Sequence, residues 1–431
     1  MTMYRLRSIQ RLLEKGELER QEIYFADTDE LNDPIDGFKN IVFYGDRIVW
    51  KNFFKHFLKN VFLCVPVYCA YKEKTTRDDI LKAMAIKNPI SEFCSVANPQ
   101  FFNSIWETFL QDFGPVIDKI AMIQEPITRD ELINYLYNAY VVAWRVIMAY
   151  PCNHHSDHHT MTNELLKLID FYHKNKMKIE QEIPDFMCYA YAISNAFNNR
   201  MIGDFAPIYM EQLEQMLFPR HYVACFTEAI DSMSLWGHYG DSHRGVGLIF
   251  ETQGNSLSLT DVDNRKHNGT FRQVLYGEEF QQINFFESFW QVPGLTIMEW
   301  GRDSETDEIS EMMNKIITVN DDDRKRYWNN FYKSSCLKTK DWAYEKEYRL
   351  IVDSFMDVSI EKNKRCYKYA FKDLKGIVFG LKTLQSDQDQ IRTIIKQKCK
   401  EEQRDIKDFD FYQAHFHQER KAIVLVPLLK V

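Results

Sequence analysis

From about residue 51 to 220 the texture of the chain changes, and long stretches carry apolar side chains at three- and four-residue spacing. Phe53–Leu63, Ser104–Phe113, Arg129–Met148, Thr162–Lys178 and Pro207–Leu217 each carry this period. It gathers the apolar positions on one stripe of an α-helix. Before this region, Met3–Leu6 and Glu22–Phe25 read as short strands, with a helix over Ser8–Lys15 closed by Gly16. After it, Tyr222–Phe226, Gly245–Phe250, Tyr348–Val352, Gly376–Phe379 and Ala422–Pro427 are short runs bounded by turn or charged residues. That is the texture of strands. Thr252–Thr270 reads as a polar loop, Asp321-Asp322-Asp323 as an acidic turn, and Gln385–Lys400 as a polar helix. The expected fold is α+β. A split mixed β core, built from residues 1–50 and 221–431, is interrupted by a large helical insertion over 51–220.

Several classes drop out. With 431 residues, 45% hydrophobic and 27% charged, the chain has ample material for a core and is not a disordered or disulfide-scaffold sequence. Its 16 glycines fall well short of the usual share of about 7%, which disfavours a glycine-rich nucleotide loop. No G-x-x-x-x-G-K-[ST] occurs, and Gly245-Val246-Gly247 runs straight into Leu248-Ile249-Phe250 instead of completing a dinucleotide fingerprint. H-E-x-x-H and G-x-S-x-G are also missing. A net charge of −8 argues against a protein that coats nucleic acid. No apolar run reaches the roughly 18 residues of a membrane span, and the charged N-terminal stretch lacks the apolar segment of a signal peptide. Nine scattered cysteines fit reduced thiols and a cytoplasmic address. Cys64 and Cys69 have no second pair, so no metal is expected. The run His154-His155-Ser156-Asp157-His158-His159 has i,i+4 pairs but no identifiable third ligand, and reads as a solvated loop after Pro151.

Two segments are denser in functional side chains than folding requires. In the first, Cys225-Phe226-Thr227-Glu228 ends a strand, and a short helical turn then brings Trp236, His238, Tyr239 and His243 before the strand that begins at Gly245. Aromatic rings beside imidazoles suit stacking on a planar ring and hydrogen bonding to a ribose or phosphate. The bland alternative makes Trp236 and Tyr239 core anchors. The second is Cys336-Leu337-Lys338-Thr339-Lys340-Asp341-Trp342-Ala343-Tyr344-Glu345-Lys346-Glu347-Tyr348-Arg349-Leu350-Ile351-Val352. If Tyr344–Val352 is a strand, Glu345, Glu347 and Arg349 share one face. Arg349 would keep one carboxylate ionised, while a like-charged neighbour raises the other's pKa.

Read in order, these segments resemble a bacterial family known as domain of unknown function 2971. The matching residues are Tyr4, Gly16, Tyr24-Phe25, Asn32-Asp33-Pro34, Cys225-Phe226-Thr227-Glu228, Trp236-Gly237-His238-Tyr239, Asp241, His243, Gly245-Val246, Trp342 to Arg349, and Ile377-Val378-Phe379-Gly380. They cover roughly residues 1–45 and 221–431. The layout is in turn similar to the ADP-ribosyltransferase fold. That likeness implies a first motif at Tyr4, Arg5 or Arg7, and a second at Trp236, His238 and Tyr239. The third would be a glutamate at Glu347 or Glu345 on a late strand. It implies NAD as substrate, with Glu347, Glu345 and His238 catalytic. Tyr4, Arg5, Arg7, Asn32, Trp236, Tyr239, His243 and Arg349 would bind the dinucleotide.

The expected function is thus an NAD-consuming enzyme, a transferase with a nucleic-acid or protein acceptor or a glycohydrolase. A role as a bacterial toxin or anti-phage defence effector accompanies it. Two rivals stand beside it. One is a Mg²⁺-dependent nuclease using Asp33, Glu345, Glu347 and a nearby lysine. The other is a non-catalytic module that docks a protein partner through the helical insertion.

Overall fold

The computed structural model describes residues 1–71, 75–84, 86, 99–149, 200–218, 220–252, 254–277, 279–291, 294–317, 321–354 and 360–428. The helix expected over Thr162–Lys178 and the His154–His159 run lie outside them. The fold is α+β, with long helices and mixed sheets. Contacts divide the chain into two units, one of Met1–Phe38, Pro219–Phe280 and Asn330–Val431, the other of Lys39–Phe218 and Gln281–Asn329.

The second unit is built on the helices Arg47–Tyr71, Pro99–Ala121, Arg129–Ala149 and Arg200–Leu217. Asp46 starts the first of them by accepting the free amides of Ile48 and Val49 at 3.0 and 3.2 Å. Trp50, Phe53, Phe54 and Phe57 on this helix are fully buried. The apolar periodicity predicts an insertion over 51–220 with 221–431 in one piece. The helical unit instead starts at Lys39 and also holds Gln281–Asn329. Strand Ile283–Asn284 pairs with Ile41–Phe43, and buried Lys51 takes its counter-charge from Asp303 at 2.9 Å. The aromatic stretch from Phe285 to Trp300 supplies core rings there. Long-range partners of this kind leave no periodic trace in the sequence.

The first unit carries the large sheet. Its strands are β1 (Thr2–Arg7), β2 (His221–Thr227), β3 (Val246–Glu251), β4 (Arg272–Gln273), β5 (Glu347–Asp353), β6 (Leu374–Phe379), β7 (Asp410–His417) and β8 (Ala422–Pro427). Across the sheet they run β4-β5-β2-β1-β3-β6-β7-β8, with Ala26–Asp27 beside β2. Only β6 and β7 are parallel, joined through the helix Gln385–Glu401; the other neighbours are antiparallel. Strand alternation divides the interior. Val246, Leu248 and Phe250 of β3 face a core with Met3, Phe226, Leu350, Ile391 and Ile395, while Ile249 faces another with Leu6, Leu235, Trp236 and Val378. Each fully buried side chain of this kind contributes roughly 1.5–3 kcal/mol.

Two local expectations need correction. Thr252–Thr270 is not a loop: Ser256–Thr260 and Lys266–Thr270 form a hairpin within a second, four-stranded sheet. Their polar residues are outward-facing strand positions, and Leu257 and Leu259 point inward. Asp321-Asp322-Asp323 is not a turn: a helix, Asp321–Ser334, begins there.

At Gly245, the turn into β3, a Cβ would stand 2.3 Å from the Arg7 carbonyl oxygen and 3.0 Å from that of Gly240. Both obstacles are backbone. Gly245→Ala is expected to cost about 1–3 kcal/mol, read as a lower thermal midpoint; an unchanged midpoint would refute the steric account.

Candidate functional site

The sheet comes apart between β1 and β2. Strand β1 pairs with β3 along six positions and β2 with β5 along seven, yet β1 and β2 share only the pair Tyr4↔Thr227. A cavity of about 810 Å³ is lined by residues of both diverging strands, including Arg5 and Arg7 on one side and Val223 and Cys225 on the other.

One wall is cationic. Arg5, Arg7, Arg11 and Lys15 line it, with Glu17 among them. Arg5 is 6% exposed, and its Nη2 donates to the Tyr24 carbonyl at 3.0 Å. Its Nη1 has no hydrogen-bond partner among the described residues. Burial, helped by the charge of Arg7, brings its pKa down to about 9.

Lining the same cavity through Lys338, Glu345 and Glu347 is a buried cluster of three carboxylates and two cations. Lys338 Nζ lies 2.8 Å from Glu345 Oε2, 2.7 Å from Glu347 Oε2 and 3.7 Å from Asp36 Oδ2. Arg349, fully buried behind Glu347, donates its Nε to Glu347 Oε1 at 2.9 Å and grips both oxygens of Asp36 at 2.6 and 2.5 Å. The Tyr239 hydroxyl donates to Glu345 Oε1 at 2.6 Å. The backbone is fixed as tightly. Thr227 donates its hydroxyl to the Glu345 carbonyl at 2.6 Å, and the Glu347 amide donates to the Tyr276 hydroxyl at 2.7 Å.

These surroundings separate the two glutamates. Burial pushes Glu347 up, but Arg349 and Lys338 outweigh it and hold the carboxyl at about 2. Glu345 is raised, because burial exceeds the opposing pull of Lys338 and Tyr239. Two neighbouring carboxyls with divergent pKa values are the usual arrangement for dividing charge stabilisation from proton transfer. The thiol of Cys225, raised by burial and then by Glu347, stays protonated beside them.

Of the residues singled out in the sequence, Tyr4, Arg5, Arg7, Asn32, His238, Tyr239, Glu345 and Glu347 all line the cavity. Three others do not. Trp236 is fully buried, and its indole N–H donates to the Ile230 carbonyl at 2.7 Å, so it is a core anchor. His243 sits in a left-handed turn with φ of 71°, and its carbonyl accepts the Lys382 amide. Arg349 lies behind the wall and acts through Glu347 and Asp36. One geometric premise also changes. Glu345 is not on the strand, which begins at Glu347; it ends the 3₁₀ turn Lys340–Glu345, and Lys346 follows in a left-handed conformation with φ of 42°. The two carboxyls meet through Lys338 and not through strand alternation.

Asp36 and Glu17 carry no signal in the sequence, and Lys338 lies inside the second segment with no role that its neighbours there define. Asp36 follows Asn32-Asp33-Pro34 by two residues and is drawn in by a partner 313 positions away, a separation no local pattern reveals. Asp33, the nuclease candidate, is buried and spends Oδ1 on the Ile35 amide at 3.1 Å. Among the described residues no group of three or more His, Cys, Asp or Glu is arranged to hold a metal ion, and no helix is long and apolar enough to cross a membrane.

No curated protein and no solved structure gives a significant match to the chain. Residues 235–350 match the model of a family described as a protein of unknown function, DUF2971, and that span holds His238, Tyr239, Lys338, Glu345, Glu347 and Arg349. Over this segment the chain is similar to that family.

Proposed function

We propose that the protein is an NAD-consuming enzyme of ADP-ribosyltransferase or NAD glycohydrolase type. The observation that carries this reading is one cavity lined both by arginines and by two glutamates of divergent pKa. In the proposed mode the diphosphate lies against Arg5, Arg7 and Arg11, since guanidinium groups pair with phosphate oxygens in a fixed fork. The nicotinamide ribose then lies beside Glu345 and Glu347, with Tyr4, Tyr239 and His238 available to its ring and hydroxyls.

The chemistry balances. The bond from ribose C1′ to nicotinamide breaks with its electron pair leaving on nicotinamide, and positive charge develops on the sugar. Ionised Glu347 stabilises that charge electrostatically. A hydroxyl of water or of a macromolecular acceptor attacks C1′ and gives its proton to Glu345. No step calls for a metal. The spaces among the carboxylates where a divalent cation would sit are filled by Lys338 and Arg349. For the nuclease alternative, this donor set is a poor fit.

The test is nicotinamide release from NAD by the full chain, with and without nucleic acid or cell lysate, in the presence and absence of EDTA. Release unaffected by EDTA is expected. Label from the ADP-ribose moiety on an acceptor would identify a transferase, and free ADP-ribose a glycohydrolase. An effector of the toxin or defence kind would also deplete cellular NAD when expressed. No nicotinamide under any condition overturns the reading, and EDTA-sensitive cleavage of nucleic acid would replace it with the nuclease.

A further inference from the structure

The cationic wall of the cavity already contains an anion. Glu17 is 7% exposed and meets Arg7 side by side, Oε2 accepting from Nε at 2.8 Å and Oε1 from Nη2 at 2.7 Å, with Arg11 Nη1 3.8 Å from Oε1. This is the two-point geometry that a guanidinium also offers a phosphate. Beside it, buried Arg5 keeps Nη1 unpartnered among the described residues and forms no ion pair with them. Arg7 and Arg11 therefore share Glu17 while Arg5 has no ion pair among the described residues, and the three guanidinium groups carry more positive charge than that one carboxylate neutralises.

We propose that Glu17 is an internal counter-ion that occupies the Arg7 fork while the cavity is empty and gives way to a doubly charged phosphate ligand. The incoming anion takes the Arg7 fork and the free Nη1 of Arg5, and Arg11 closes on it. Glu17 thereby sets the threshold for binding: it keeps a buried guanidinium paired in the empty state, avoiding the cost of an isolated charge, and lowers affinity for weakly charged competitors. Glu17 stands on the four-residue helix Glu17–Arg20, outside the β1 ladder, so its displacement breaks no strand pairing. This deepens the NAD reading and rests on it for the identity of the natural ligand, while the site itself is defined by charge.

Inorganic pyrophosphate is the probe, measured by calorimetry on the full chain. Glu17→Gln is expected to bind it about tenfold more tightly than the unaltered protein, the equivalent of removing one competing charge at contact distance. Arg5→Gln is expected to weaken binding by about tenfold or more. Glu30→Gln is the control for general electrostatics. Glu30 also lines the cavity but is paired with exposed Lys362 at 2.7 Å, and its removal should change affinity less than about twofold. Should Glu17→Gln fail to fold, Glu17→Asp retains the charge but is too short for both contacts, and it too should bind pyrophosphate several-fold more tightly. Unchanged or weaker binding in the Glu17 variants would overturn the proposal, since it would make the carboxylate an orienting partner of Arg7. So would a gain in Glu30→Gln equal to that in Glu17→Gln. Nicotinamide release is a separate readout: its absence counts against NAD cleavage, while pyrophosphate binding alone decides the role of Glu17.

Discussion

Arg349→Met is expected to destabilise the sheet-bearing unit by about 3–5 kcal/mol. The substitution leaves Asp36 and Glu347 buried with only Lys338 to balance them, because Arg349 is the sole partner that grips both oxygens of Asp36 among the described residues. A buried ion pair need not be worth much as a whole, yet breaking one half of it is costly, since the survivor keeps its desolvation penalty. Removing the charges together should therefore recover much of the loss. The triple variant Arg349→Met, Asp36→Asn, Glu347→Gln is the companion measurement, by urea unfolding of each protein. A loss below about 1 kcal/mol in Arg349→Met would refute the account.

The same cluster predicts a direction with pH. Glu347 titrates at about 2 in the folded chain against an ordinary 4.5. Its contribution is fully present above 4.5 and is lost as pH falls from there toward 2. Glu345, with its pKa raised, acts the other way: its contribution is present below the ordinary value and is lost as pH rises through the folded value. Acid unfolding between about pH 4.5 and 2 should thus be blunted in Glu347→Gln.

The second large effect concerns catalysis. If Glu345 accepts the proton of the attacking hydroxyl, Glu345→Gln is expected to lower nicotinamide release by about 10²–10⁴-fold. The fold should persist, because the amide carbonyl still accepts from Tyr239 and the replaced group is the carboxylate least dependent on ionisation. The pH profile separates a catalytic from a structural role. In the unaltered enzyme activity should rise with pH through the raised pKa of Glu345, and that acidic limb should vanish in the variant. Activity equal to that of the unaltered enzyme would remove Glu345 from the mechanism. Glu347→Gln should also silence release, but with a stability loss that Glu345→Gln does not share, because Arg349 and Lys338 both depend on Glu347 for neutralisation.

Much of the site was legible because its residues are of unusual type for their setting. Two glutamates and an arginine flanking Lys346, and imidazole and aromatic rings before a glycine turn, exceed what a strand or turn requires. The β1 arginines enter only through the likeness to the ADP-ribosyltransferase layout. Trp236 misled for a physical reason: an indole serves equally well as a stacking surface and as a core anchor, and only its bond to the Ile230 carbonyl decides between them. His243 misled because adjacency in sequence does not survive a left-handed turn.

By itself the sequence determined the periods: helices from residue 51 onward, short strands at both ends, and the two segments rich in functional groups. These follow from local geometry, 3.6 residues per helical turn and two per strand repeat. Tertiary structure alone decided the rest. It returned Gln281–Asn329 to the helical unit, let β1 and β2 diverge after a single pair, drew Asp36 across to Arg349, and set Lys338 between Glu345 and Glu347. Burial and neighbouring charge, properties of the assembled fold and not of any segment, drove the two carboxyls apart in pKa and left the Nη1 of Arg5 without a partner among the described residues.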